Sequence, residues 1–217
     1  SMPGAKWFTS ARLNFAENLL RFRDDNPALV FRGEDKIERT LSYKELFSLV
    51  AKTSSALKSA GVSSGDRVTG FIPNIPEAVI AMLAAASIGA VWSSSSPDFG
   101  IKGVLDRFSQ IKPKVLFAAN GYFYNGKHFD SLEKLKGILK QLPSVERVVI
   151  IPYTKESPRI SSIPNAVLYD DFISGEKADT IEFNQLPFDH PLYIMYSSGT
   201  TGLPKSIVHS AGGTLVQ

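Results

Sequence analysis

Towards its end the chain runs Tyr196-Ser-Ser-Gly-Thr-Thr-Gly-Leu-Pro-Lys205, gathering two glycines, four aliphatic hydroxyls and one lysine between apolar runs at 192–195 and 207–208. That order reads as strand, polar loop, strand. Glycine lets backbone N–H groups turn inward and approach a guest closely, the hydroxyls add donors, and the lysine brings a mobile positive charge. A polyanion, with a nucleoside triphosphate first among candidates, suits such a loop. The spacing is not that of G-x-x-x-x-G-K-[ST], because five residues after Gly199 stands Pro204 and five after Gly202 stands Ile207. The residue chemistry alone leaves a plain hairpin connection as the other reading.

Further stretches bear on chemistry. Ser93-Ser-Ser-Ser-Pro-Asp-Phe-Gly100 follows a predicted strand and precedes a predicted helix, where open α/β sheets hold ligands, and Asp98 is expected to cap that helix. Asn120-Gly-Tyr-Phe-Tyr-Asn-Gly-Lys127 interleaves aromatics, glycines and one cation. It reads as a surface loop with its tyrosines folded onto the core, or as a ligand contact. Asp189-His190 has the types of an acid–base pair, yet no nucleophile is fixed beside it, and the serine runs lack the G-x-S-x-G elbow of a hydrolase.

The elements that must position these residues alternate. Ser42 with Glu45 three residues on forms a capping box, and Leu46, Leu49, Val50, Thr53, Ala56, Leu57 and Ala60 repeat at helical spacing up to Gly61. Ahead of this helix, 28–32 and 36–41 flank a turn as a hairpin. Beyond it, strands are expected at 67–72, 90–93, 114–118 and 147–151, with helices at 77–88, 101–111 and 132–142. Such alternation calls for an α/β fold of three layers, a largely parallel sheet with helices on both faces. Residues 1–27 read as a packing segment with buried-type aromatics at Trp7 and Phe8 and a short helix facing inward through Phe15, Leu19 and Phe22. Residues 28–217 read as the main body. The Pro- and Ser-rich stretch at 152–164 is an exposed excursion, either a loop or a subdomain join near 152–165.

Composition narrows the classes. The 217 residues are 43% hydrophobic and 21% charged, ordinary for a globular chain, and a net charge of +3 without a long run of one sign gives no nucleic-acid footprint. Zero cysteines exclude disulfides, thiolate metal sites and a cysteine nucleophile, and the three histidines lack ligand spacing. No run approaches the ~18 apolar residues of a membrane helix. No resident metal is expected, and Ser1-Met2 reads as the remnant of a cleaved tag.

Residues 196–205 closely resemble the signature loop of the adenylate-forming superfamily, which holds acyl-CoA synthetases, luciferases and peptide-synthetase adenylation domains. The resemblance implies that Ser197, Ser198, Gly199, Thr200, Thr201, Gly202 and Lys205 bind the phosphates of ATP, with Lys205 catalytic. Many relatives carry glycine where this chain has Ser206. Lys6-Trp-Phe8, Arg12-Leu-Asn14, Ala16-Glu-Asn-Leu-Leu20, Pro76-Glu-Ala78 and Ile88-Gly-Ala90 extend the likeness over nearly the whole chain, to the acetyl/acetoacetyl-CoA synthetase branch. Residues 92–100, 121–127 and 196–209 most resemble its acetoacetate-activating members, although Thr9 and Ser10 stand where Pro and Gly are usual. The likeness implies the N-terminal part of an adenylation domain in a cytosolic ligase of lipid metabolism. Acetoacetate and ATP, accompanied by Mg2+, give acetoacetyl-adenylate and pyrophosphate, and coenzyme A then displaces AMP. Lys127 matches the second of two basic residues that contact coenzyme A, while Asn125 falls near the first. The alternatives are an acetyl- or other short-chain acyl-CoA synthetase, an enzyme loading a carrier protein, and a non-catalytic nucleotide-binding module. The later adenine, ribose, hinge and C-terminal lysine motifs do not occur, so the chain is expected to be an N-terminal fragment, inactive alone.

Overall fold

A seven-stranded sheet organises the chain, in the spatial order Ala166–Leu168, Arg147–Ile151, Val115–Ala119, Arg67–Phe71, Val91–Ser95, Pro191–Ser197 and Lys205–Ser210. All neighbours are parallel except the last pair, which forms an antiparallel hairpin at the edge. The computed structural model describes residues 4–34, 37–176, 179–198 and 202–217. Successive side chains of a strand point to opposite faces, and here the two parities fill two cores. Val68, Trp92, Val115, Phe117 and Val149 meet the helices Tyr43–Ser59 and Pro76–Ser87 on one face. Phe71, Val91, Leu116, Ala118 and Ile150 meet the helices Ile101–Ile111 and Leu132–Leu139 on the other. The fold is the expected three-layer α/β arrangement with helices on both faces of a mostly parallel sheet.

Local chemistry starts the helices Tyr43–Ser59 and Pro76–Ser87 where the sequence indicates. Ser42 Oγ accepts from the Glu45 amide, and the Glu45 carboxylate accepts from the Ser42 amide and hydroxyl, which also holds the Glu45 carboxyl below its usual range. Pro76 opens its helix at the first position, where its missing N–H costs nothing. Gly70 is dictated by packing, because a Cβ there would sit 2.9 Å from the indole ring of Trp92 on the neighbouring strand.

Several expectations are corrected. Trp7 and Phe8 are 63% and 60% exposed, so the first aromatics are not enclosed; Phe8 rests against Phe188 at 4.9 Å. The helix Phe15–Leu19 lasts little more than one turn, so the 3.6-residue stripe does not carry to Phe22, and Phe15, Ala16 and Leu20 are buried while Leu19 and Phe22 are exposed. Asn14 anchors that helix: its Oδ1 accepts from the Ala16 and Glu17 amides, and its Nδ2 donates to Ala86 O, Ser87 O and Asn184 O. Asp98 does not cap the helix Ile101–Ile111, whose N-cap is Gly100 with no side-chain cap bond. The stretch read as a loop after residue 119 is a hairpin, Gly121–Tyr124 with Lys127–Asp130, turned by Asn125 and Gly126 at φ 50 and 70. That is the Asn-Gly turn whose left-handed pair matches strand twist. The strand Ala166–Leu168 goes beyond the strands expected from the sequence, and the helix Leu132–Leu139 stops three residues short of position 142.

Candidate functional site

Parallel strands all point the same way, so the segments after them emerge together at one edge of the sheet. Val91–Ser95 leads into residues 96–100, Val115–Ala119 into the hairpin carrying Lys127, and Pro191–Ser197 into the polar loop. The sequence-marked stretches thus share the carboxyl end of the sheet, where open α/β folds bind ligands.

The loop is based on a hairpin in firm register, with Tyr196 opposite Ser206 and Ser197 opposite Lys205. Cross-strand partners share a face, so Tyr196 and Ser206 lie towards the helix Ile101–Ile111, and Ser197 and Lys205 project from the other side. Tyr196 is pinned on the helix side. Its hydroxyl accepts from Ser93 Oγ at 3.2 Å and donates to Arg107 O at 3.4 Å, and burial pushes its pKa up. Ser206 Oγ donates to Gln110 Oε1 at 3.0 Å, and Gln110 Nε2 donates to Pro204 O at 2.9 Å. On the open side, Lys205 is exposed and pairs with no carboxylate among the described residues. Ser198 is exposed as well, and Gly202 takes φ 94, a left-handed turn suited to glycine. Gly199, Thr200 and Thr201 lie outside the described residues.

Beside the hairpin a cavity of about 390 Å³ is lined by Trp92, Ser95, Phe99, Arg107 and Tyr196, with Met82 and Met195 among its other walls. Ser95 is only 4% exposed, and its Oγ has no hydrogen-bond partner among the described residues, so the wall holds an unsatisfied polar group. The Arg107 guanidinium lies 4.5 Å from the Phe99 ring and 5.7 Å from the Tyr196 ring and donates to Gly103 O, which fixes a cation in the cavity wall. A roomier cavity, about 500 Å³, is lined by Glu133, Lys136, Lys140, Asn165 and their neighbours. It takes no wall from the strand ends, and we place no chemistry there.

Lys127 is exposed on its hairpin, across from Tyr124. Lys134 ties that hairpin to the serine-rich turn, since its Nζ donates to Pro97 O at 3.2 Å and lies 5.5 Å from the Tyr122 ring. His190 serves structure: its Nε2 bonds Gly89 O at 2.9 Å. Nothing in the sequence singles out Arg107 and Gln110. Their partners lie 89 to 96 positions away, so no local pattern marks them.

Comparison with known proteins agrees with this geometry. A family model described as AMP-binding enzyme matches residues 15–217. An acetoacetyl-CoA synthetase of Gallus gallus is 53% identical over 98% of this chain and 33% of that protein. An acetoacetyl-coenzyme A synthetase of Rhizobium meliloti is 51% identical over 100% of this chain and again 33% of its own length. The solved structure of acetoacetyl-CoA synthetase from Streptomyces lividans superposes with a TM-score of 0.92 at 44% identity, covering 100% of this chain and 33% of that one. The chain therefore spans about a third of the length of the relatives it matches.

Proposed function

The chain belongs to the AMP-binding enzyme family, and from that premise we propose that the full-length protein is an AMP-forming acid–thiol ligase acting on acetoacetate. Its substrates are acetoacetate, MgATP and coenzyme A. A carboxylate oxygen of acetoacetate attacks the α-phosphorus of ATP and pyrophosphate leaves. The coenzyme A thiol then attacks the acyl carbon of the adenylate, forming the thioester and releasing AMP. The donor set suits the first step: Ser197, Ser198 and Gly202 offer hydroxyl and backbone donors to the β- and γ-phosphates, joined by Gly199, Thr200 and Thr201. Lys205 neutralises charge as it builds on the departing pyrophosphate. Lys127 is assigned to the phosphates of coenzyme A, and the enzyme is placed in the cytosol.

The observation that carries this reading is identity of about half over the whole chain with acetoacetyl-CoA synthetases from a bird and a bacterium. It is tested by pyrophosphate–ATP exchange with the full-length protein over a panel of short acids, followed by AMP release with coenzyme A. We expect acetoacetate to exceed acetate by roughly tenfold or more in kcat/KM, the order of discrimination available to an apolar pocket. Acetate as the better substrate would move the protein to the acetyl branch. Nucleotide binding without exchange on any acid would make it a binding module.

A further inference from the structure

Ser206, the residue that follows Lys205, has a partner in the structure. Ser206 Oγ donates to Gln110 Oε1 at 3.0 Å, and the same carboxamide donates through Nε2 to Pro204 O at 2.9 Å and to Asp106 O at 2.6 Å. Gln110 sits in the last turn of the helix Ile101–Ile111, and its third bond, back to its own helix, holds the amide plane still. One side chain thus grips both residues that flank Lys205, the carbonyl before it and the hydroxyl after it. A glycine after the lysine would leave half of that grip unmade.

We propose that Gln110 is a positioning residue for Lys205, clamping the returning strand of the phosphate loop so that the lysine stands ready on the opposite face. The strand alternates, so fixing Ser206 against the helix directs Lys205 away from it, beside Ser197. Tyr196, one pair along, is held on the same helix by Arg107 O, so the hairpin is fastened through both of its strands. The loop itself has little apolar area to hold it, and a cation that stabilises a developing charge works only if placed before the charge appears. The helix supplies the placement.

The inference rests on the reading of Lys205 as the cation that meets pyrophosphate, and the experiment separates the two. In the full-length protein Gln110→Leu should lower the maximal rate of pyrophosphate exchange about ten- to a hundredfold, the order expected for a misplaced group, with the KM for ATP changed less than about threefold. Ser206→Ala should give a smaller loss, and the double variant should fall short of the product of the two. In a Lys205→Ala background Gln110→Leu should cost nothing further, because its effect passes through the lysine. An equal loss in that background, or wild-type rates in both single variants, overturns the clamp. Should none of the acids support pyrophosphate exchange by the wild type, the ligase reading falls, and hydrogen–deuterium exchange decides the clamp alone. Faster amide exchange across residues 205–210 in Ser206→Ala and Gln110→Leu supports it, and unchanged exchange overturns it.

Discussion

The proposed chemistry concentrates on Lys205, which is exposed across from Ser197 with no carboxylate paired to it among the described residues. Removing its charge should act where charge changes most, on the transition state and not on the resting complex with ATP. In the full-length protein Lys205→Ala is expected to lower the maximal exchange rate by about a hundred- to a thousandfold, the usual loss of one electrostatic stabiliser, with a lesser change in ATP affinity. An unchanged maximal rate with only a raised ATP requirement would assign the lysine to ground-state binding. The identities of Ser197, Ser198 and Lys205 as candidate polyanion contacts are legible in the sequence, because a glycine- and hydroxyl-rich loop between apolar runs has a chemical meaning before it has a shape. Arg107 and Gln110 are not legible, since they matter only through contacts across the sheet edge to residues 89 to 96 positions away.

At the scale of elements, two couplings set the scaffold under the site. Gly70 gives way to the Trp92 indole, a wall of the 390 Å³ cavity. A methyl group there would lie 2.6 Å from Ile72 Cγ2 and 2.9 Å from the indole ring, both buried, so Gly70→Ala should destabilise the fold by about 1–3 kcal/mol through overpacking. Denaturant titration would read this as a lower midpoint, and an unchanged midpoint would show that the indole can shift freely. The second coupling joins the helix Tyr169–Ser174 to Tyr43–Ser59. Thr53 Oγ1 donates its one hydrogen to Leu49 O, so Tyr169 must donate to Thr53 across 2.9 Å. Burial pushes the Tyr169 pKa from 10.0 to about 12. The fold therefore holds a proton that the unfolded chain releases, and its contribution is complete below pH 10 and drains away as pH rises to about 12, roughly 3 kcal/mol in all. Tyr169→Phe should flatten the fall of stability in that window, and an equal slope in both proteins would deny that burial holds the Tyr169 proton. Helices and strands with their own caps and periodicity, such as Tyr43–Ser59 and Arg147–Ile151, can be read from the sequence almost to the residue. The hairpin Gly121–Asp130 is hidden although Asn125-Gly126 signals it, because the run of aromatics around that turn lacks the apolar–polar alternation of a strand. The burial of Leu20 in place of Leu19 and Phe22 is beyond such reading, since a helix of five residues is too short for its period to fix a face.

For the molecule as a whole, the edge of the sheet decides what these residues can do by themselves. Lys205–Ser210 is the outermost strand, and Ile207, Val208 and Met195 stand 44%, 56% and 54% exposed along the same hairpin that presents Lys205. The face proposed to meet phosphate is thus one wall, with apolar side chains open to solvent beside it and no opposing surface among the described residues. Adenylation needs the carboxylate and the α-phosphorus held in line, and an effective molarity of roughly 10⁵ M or more is forfeited when one partner is left free to tumble. Triphosphate meeting a single exposed lysine and a few hydroxyls in water gains little, because screening and mobility spend most of the attraction. We expect these 217 residues alone to show no release of AMP above a Lys205→Ala control when mixed with ATP, magnesium, acetoacetate and coenzyme A. The full-length protein should turn over under the same conditions. Clear activity of the 217 residues that the Lys205→Ala substitution abolishes would mean that the cavity of Trp92, Arg107 and Tyr196 completes an adenylating site without a second wall.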